Sequence, residues 1–361
     1  MGFEKLFWDA HVHTTASDAL EWSSTQVVAR AAVLGLKAIM IADHDTVSGN
    51  EEAMAAGENA GVIVVPGIEI TSTYTDKVTG PEGMEIHLLG CGVKDFDKLE
   101  GRLQPTRDGR RERADRTIAL GKEFFGTIFG VEPSELEGHA TVTRESIRQS
   151  LPDDEEMRSR FMRESSWGHL AYVPYPEGAL MTTEKVLDEL KPYCECMILA
   201  HPGRVIEAYM LRLRDRYIGA LAREEGIEYS RTRLDEVEGL MRARMEKGDK
   251  DFTRKYASAW STVLHELTRT SEGTLHSLVR DHGLDGLEVF YSDHSPSTVR
   301  RVNKSLSKLR RKFPDRTLLR TLGSDCGHKG KDLATGKAGN LVQYQNKEDC
   351  EAFLKAVGYS R

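Results

Sequence analysis

Short apolar runs alternate with stretches of helical period along the N-terminal part of the chain, and nearly every run ends on a residue able to bind a metal. Lys5 to Trp8 predicts a strand. Ser23 and Gln26 form a capping box, after which Val27, Val28, Ala31 and Leu34 recur on one helical face as far as Gly35. Leu36 to Ala42 is a second apolar run, Ser48 with Glu51 predicts another capping box, and Val62 to Val65 opens a third run after Gly61. The order is βαβαβ, which argues for an α/β fold on a parallel sheet, open or closed.

That regularity breaks from about 96 to 162, where Arg, Glu and Asp dominate and helical segments such as Arg110 to Phe125 replace buried strands. It resumes with a helix over Thr183 to Leu190 and a strand over Met197 to Ala200. A second charged block, about 207 to 270, precedes the strands Gly286 to Phe290 and Leu318 to Leu322. Both blocks interrupt one core, so 1–361 reads as a single catalytic domain carrying two helical insertions, the second a candidate cap over the cleft. No repeat or low-complexity tract appears.

Composition narrows the function. The 361 residues carry a formal net charge of −7, which gives no global basic field for a nucleic-acid backbone and argues against long nucleic acid as a partner. Five cysteines, an odd number in a chain large enough to need no staples, point to a reducing compartment, with the cytoplasm as the default. Met1 to Lys5 leads straight into a strand, so no signal peptide is expected. The apolar stretch from Val33 to Ala42 is too short for a membrane span. Leu6 stands where a myristoylation signal needs Ser or Thr.

The chemistry lies at the strand ends. His11 and His13 are two apart on an extended segment, so their side chains project to one side and can grip one cation, with Asp18 on the loop beyond. Asp43, His44 and Asp45 end the second apolar run, where packing gives no reason for three titratable residues. Glu69, between Ile68 and Ile70, would be costly to bury without a cation, which suits a bridge between two metals. His87 sits in the same kind of apolar setting. His201 follows Ala200, and Asp325 follows Leu322 through Gly323 and Ser324, with His328 beyond. Mixed imidazole and carboxylate ligands favour manganese, iron or zinc over magnesium or calcium.

Taken in order, Asp9-Ala10-His11-Val12-His13, Ala42-Asp43-His44-Asp45-Thr46, Pro66-Gly67-Ile68-Glu69, His87, Ala200-His201-Pro202-Gly203 and Gly323-Ser324-Asp325 resemble the polymerase and histidinol phosphatase (PHP) superfamily. The stand-alone members acting as nucleotide phosphatases or exonucleases are the most similar. The resemblance spans nearly the whole chain outside the two charged blocks. It implies a distorted (β/α)7 barrel with helical insertions and two or three divalent transition metals. The resemblance further implies that His11, His13, Glu69 and Asp325 hold the first metal and Glu69, His87 and His201 the second. Asp18, His44 and His328 would hold the third. One departure stands out: two residues separate Asp325 from His328, where the family usually has one.

A hydroxide shared by two such metals would attack a phosphomonoester of a nucleotide or another small organic phosphate. A phosphodiesterase acting on cyclic phosphates or short oligonucleotides is the alternative. A metal-dependent amidohydrolase would use the same hydroxide without needing phosphate-binding arginines. His294, after the strand Gly286 to Phe290, is the candidate for protonating the leaving alkoxide or contacting phosphate. Arg204 is expected to face the cleft and clasp a phosphate. Arg107, Arg110 and Arg113 recur on one helix face, of which Arg107 and Arg110 are taken as a second phosphate contact. The number of subunits is left open.

Overall fold

A computed structural model describes residues 7–17, 22–136, 140–326, 331–337 and 339–359. Asp18 and His328 lie outside the described residues, so the expected third cation site is represented only by His44.

Seven strands follow one another in space in chain order: β1 (Trp8–Val12), β2 (Ala38–Ile41), β3 (Ile63–Tyr74), β4 (Met84–Cys91), β5 (Cys196–Leu199), β6 (Gly286–Tyr291) and β7 (Leu319–Gly323). The sheet curls until its ends meet. His13 N–H donates to the Cys326 carbonyl at 2.8 Å and Asp325 N–H to the His11 carbonyl at 2.8 Å, so the segment after β7 lies against β1. Helices α1 (Ser24–Val33), α2 (Asn50–Ala60) and α10 (Pro296–Lys312) join successive strands. The fold is α/β, with a nearly closed seven-stranded barrel.

The expected parallel sheet holds for most strands but not for β4, which pairs antiparallel with both β3 and β5. The turn between β3 and β4 is too short to carry a crossover helix, so the chain can only double back. One expected cap is also different. Ser23 and Gln26 make the capping box of α1, but α2 starts at Asn50 with Gly49 as its uncapped N-terminus. Ser48 instead bonds Thr46, and Asn50 uses both ends of its amide on the backbone of Gly67, at 2.9 Å each. That pair ties α2 to the strand carrying Glu69.

The first charged block folds as α3 (Phe96–Phe125), α4 (Arg144–Ser150) and α5 (Glu155–Glu164) around its own apolar cluster, which includes Ile118, Phe129, Leu136, Ile147 and Phe161. A single turn, α6 (Thr183–Lys185), widens over Val186–Leu190 and leads into β5. After β5 come α7 (Pro202–Glu224), α8 (Leu234–Glu246) and α9 (Lys250–Arg280). A small hairpin, β8 (Lys331–Asp332) with β9 (Gly336–Lys337), and α11 (Lys347–Ala356) complete the described chain. Among the described residues no helix is long and apolar enough to cross a membrane.

Candidate metal centre

Glu69 is the hub of the site. It is 1% exposed, and five imidazoles surround its carboxylate. Its Oε2 lies 3.2 Å from His11 Nε2, 3.3 Å from His13 Nε2 and 3.1 Å from His44 Nδ1. Its Oε1 lies 2.8 Å from His87 Nδ1 and 2.7 Å from His201 Nε2. Asp325 adds a second carboxylate, with Oδ1 2.9 Å from His13 Nε2 and 3.8 Å from His11 Nε2.

The strands put them there. His11 ends β1 and His13 follows it, both facing inward as two-residue spacing requires. His44 prolongs β2 in a parallel bridge to Glu69 on β3. His87 lies on β4 opposite Thr71, and its carbonyl accepts from Ala200 N–H at 3.0 Å, setting His201 beside it. Asp45, His201 and Asp325 have positive φ, at 52°, 28° and 55°. Non-glycine residues rarely adopt that backbone, and such strain persists where the surroundings enforce it, typically at functional sites.

Electrostatics follow from the packing. Burial alone would raise the Glu69 pKa, but the imidazoles of His44, His11 and His87 reverse this and hold it well below the usual carboxylate range. Burial likewise opposes charge on His11, yet Glu69 and Glu288 push its pKa well above the ordinary imidazole value. His87 is raised to about 9, burial being outweighed by Glu69 and Glu85. His201 is lowered to about 4 by burial, aided by Arg204 against the bond to Glu69. His201 is therefore neutral at working pH and ready to ligate.

The donor set fits cations. His11, His13 and Glu69 form one group whose ligand atoms all lie within 4.8 Å of one another, and His44, Glu69 and His87 form a second. His11 Nε2 and His13 Nε2 are 3.1 Å apart, aimed at the same point. Six of the nine expected metal ligands, His11, His13, Glu69, His87, His201 and Asp325, converge with His44 at one end of the barrel. Cys326, although next to Asp325, packs with Val12, Ile39 and Leu333 in an apolar cluster.

The residues expected to handle substrate are placed less simply. Arg204 donates to Tyr291 Oη at 2.6 Å, lies 3.4 Å from Asp293, and lines both cavities that open on the cluster. His294 does not line them. Its Nδ1 lies 3.1 Å from the Val289 carbonyl, and its Nε2 accepts from Gly203 N–H at 3.1 Å. Both ring nitrogens are thus spent on backbone, which corrects the proton-donor expectation. Arg107 pairs with Glu100 at 2.6 Å and donates to the Asp45 carbonyl at 2.9 Å, and it too lies outside the cavity walls. Arg110 reaches a wall, but its guanidinium pairs with Asp45 at 2.6 Å and bonds Thr71. These two arginines fasten α3 to the strand end that carries His44.

Sequence reasoning missed four residues. Glu288, fully buried on β6, sets Oε1 3.0 Å from His11 Nδ1 and accepts His201 N–H on Oε2 at 2.6 Å. Its signal was present, a carboxylate between Leu287 and Val289. A Cβ at Gly323 would fall 2.0 Å from Glu288 Oε1 and 2.4 Å from His11 Cβ, so only glycine lets these two meet. Tyr291 Oη and Lys331 Nζ hold Asp325 Oδ2 at 2.7 and 2.5 Å. Arg144 lines both cavities, donates to Ser165 O and Ser166 Oγ, and has no carboxylate at ion-pair distance among the described residues. Burial, with Arg113 nearby, pushes its pKa down. Nothing in its sequence context separates it from the surrounding charges.

No protein-family model matches the chain. A 5′-3′ exoribonuclease of Haemophilus influenzae is 34% identical over 108 residues, covering 30% of this chain and 36% of that protein. A 3′,5′-nucleoside bisphosphate phosphatase of Chromobacterium violaceum is 26% identical over 202 residues, covering 54% of this chain and 67% of that one. The match therefore spans only about a third of the exoribonuclease. Among solved structures, a protein from Bifidobacterium adolescentis named as a metal-dependent phosphoesterase superposes with a TM-score of 0.60 at 22% identity, covering 97% of this chain and 96% of its own. Its likeness speaks to the fold. With relatives of this kind in sequence, the same type of barrel and the ligands in the expected order, the chain belongs to the PHP-type proteins.

Proposed function

We propose that the protein is a metal-dependent phosphoesterase acting on the phosphomonoester of a nucleotide or another small organic phosphate. The carrying observation is the buried Glu69 carboxylate among five imidazoles, opening on a cavity where Arg144 has no acidic partner. The relatives' names, phosphatase and exoribonuclease, support the same reading.

Two or three divalent cations, manganese, iron or zinc, would be held by His11, His13, Glu69, His87, His201 and Asp325, with His44 and the expected Asp18 and His328 at a third position. Bound there, cations lower the pKa of coordinated water and draw electron density from a phosphoryl oxygen. The chain's own residues do the rest. Arg204 and Arg144 present guanidinium N–H groups to a phosphate entering the cavity, fixing its orientation. Tyr291 and Lys331 hold one Asp325 oxygen and leave the other facing the cluster. Glu288 keeps His11 Nδ1 engaged so that Nε2 faces the cations.

Phosphate release measured with added manganese across nucleotides, bisphosphonucleotides, sugar phosphates and cyclic diesters tests the reading. Release from one nucleotide class, abolished by Glu69→Gln, is expected. No release from any ester by metal-loaded protein would overturn it.

A further inference from the structure

The cavity extends well past the candidate ligands. It encloses about 1200 Å³, more than the ~300–1,000 Å³ typical of a small-molecule site, and its far wall carries Trp167, Arg212 and Arg231. The guanidinium carbons of Arg212 and Arg231 lie 4.0 and 4.8 Å from the Trp167 ring centre. Arg212 is 7% exposed and donates only to the carbonyls of Gly83 and Ala208, at 2.6 and 3.4 Å. Its Nε has no hydrogen-bond partner, and no carboxylate lies within ion-pair distance, among the described residues. Arg231 gives Nε to Asp215 at 3.1 Å, and Glu82 accepts from Trp167 Nε1 at 3.4 Å.

An aromatic ring holds a guanidinium without cancelling its charge. A buried cation so held is costly until an anion arrives. Burial, with Arg231 adjacent and Tyr172 and Glu82 opposing, pushes the Arg212 pKa below the ordinary guanidinium value. Arg204 and Arg212 lie on the same helix, α7, roughly 12 Å apart along its axis. A strand of roughly two to four nucleotides spans that distance, at about 3.4 Å of stacked rise each, and a mononucleotide does not. Tyr172 and Tyr229 line the same cavity and offer ring surface for bases.

We propose that Arg212, with Arg231 beside it on Trp167, forms a second phosphate subsite, and that the substrate is a short single-stranded oligonucleotide lying along α7 from the cluster to this clamp. The inference rests on the phosphoesterase reading and narrows its substrate class.

Binding is measured on protein kept in chelator, using fluorescein-labelled, 5′-phosphorylated oligouridylates of one to six nucleotides at several salt concentrations. Affinity rises with length and then levels off. Arg231→Ala, at a half-exposed position, and Arg212→Lys each weaken the longer probes by roughly tenfold, leave the mononucleotide unchanged, and melt as the parent does. Arg231→Ala also flattens the salt dependence by about 0.7 in slope. Affinity independent of length, or equal losses for mononucleotide and oligonucleotide, would overturn the subsite. Manganese-dependent phosphate release is followed on the same proteins. Hydrolysis without length dependence sinks the subsite alone, whereas length-dependent binding without hydrolysis of any ester supports the subsite and sinks the proposed reaction.

Discussion

Glu288 stands between two ligands: one carboxylate oxygen is 3.0 Å from His11 Nδ1, and the other accepts the His201 backbone N–H at 2.6 Å. A carboxylate so placed fixes the tautomer of one imidazole and the backbone position of another, though it touches no substrate. Glu288→Gln keeps the volume but loses the charge that orients His11. Metal affinity is expected to fall by roughly 10–100-fold, with turnover restored at high metal concentration. Equilibrium dialysis against manganese checks this, and unchanged affinity would reduce Glu288 to a packing residue.

Arg110 and Arg144 both reach the cavity, but only Arg110 has a buried acidic partner. Removing Arg110 leaves Asp45 unpaired beside His44, so Arg110→Ala is expected to cost roughly 3–5 kcal/mol of stability. Arg144→Ala removes no ion pair seen among the described residues and should leave the melting temperature nearly unchanged. It should instead raise KM for phosphate esters by roughly tenfold or more. Calorimetry and steady-state kinetics on the two variants would reverse the assignment if Arg144→Ala were the unstable one.

The cluster also makes stability depend on pH in a particular direction. Folded, metal-free protein holds a proton on His87 up to about 9, and on His11 well above the usual value, against ~6.5 for an unfolded histidine. Their contribution is complete below the unfolded value and is lost as pH rises through the folded one. Denaturation in chelator should therefore show stability from these groups falling between pH 6.5 and 9. Manganese should cancel or reverse the trend, because ligation displaces those protons and strengthens as pH rises. An identical fall with and without metal would place the cations elsewhere.

Much of this site could be read from the chain because strand ends advertise themselves. Glu69 between Ile68 and Ile70, and His201 after Ala200, are polar residues where packing alone wants none. Glu288 between Leu287 and Val289 carries the same signature, yet no ligand motif drew attention to it. Arg107 and Arg110 show the opposite failure. Their helical spacing suggested a free cationic face, while the acids that neutralise them, Glu100 and Asp45, are set by the docking of α3 onto the barrel. Arg144 and Arg212 owe their lack of partners to tertiary placement as well. The reversal of β4 was hidden for a different reason, since an apolar run does not record its direction.

His294 gives the sharpest contrast between a histidine that looks catalytic and one that holds the site together. Its ring is pinned between the Val289 carbonyl and Gly203 N–H, and a Cβ at residue 203 would fall 2.5 Å from its Nε2. Gly203 is two residues beyond His201, so the imidazole sets the start of α7 and with it the ring that meets Glu69. Burial lowers the His294 pKa, in keeping with a neutral ring that donates at Nδ1 and accepts at Nε2. Replacing it with phenylalanine leaves Gly203 N–H and the Val289 carbonyl without their partner, for a loss of roughly 1–3 kcal/mol. Turnover should fall with metal occupancy, while the shape of the pH–rate profile stays that of the parent. Loss of the alkaline limb at unchanged stability would return His294 to the role of proton donor.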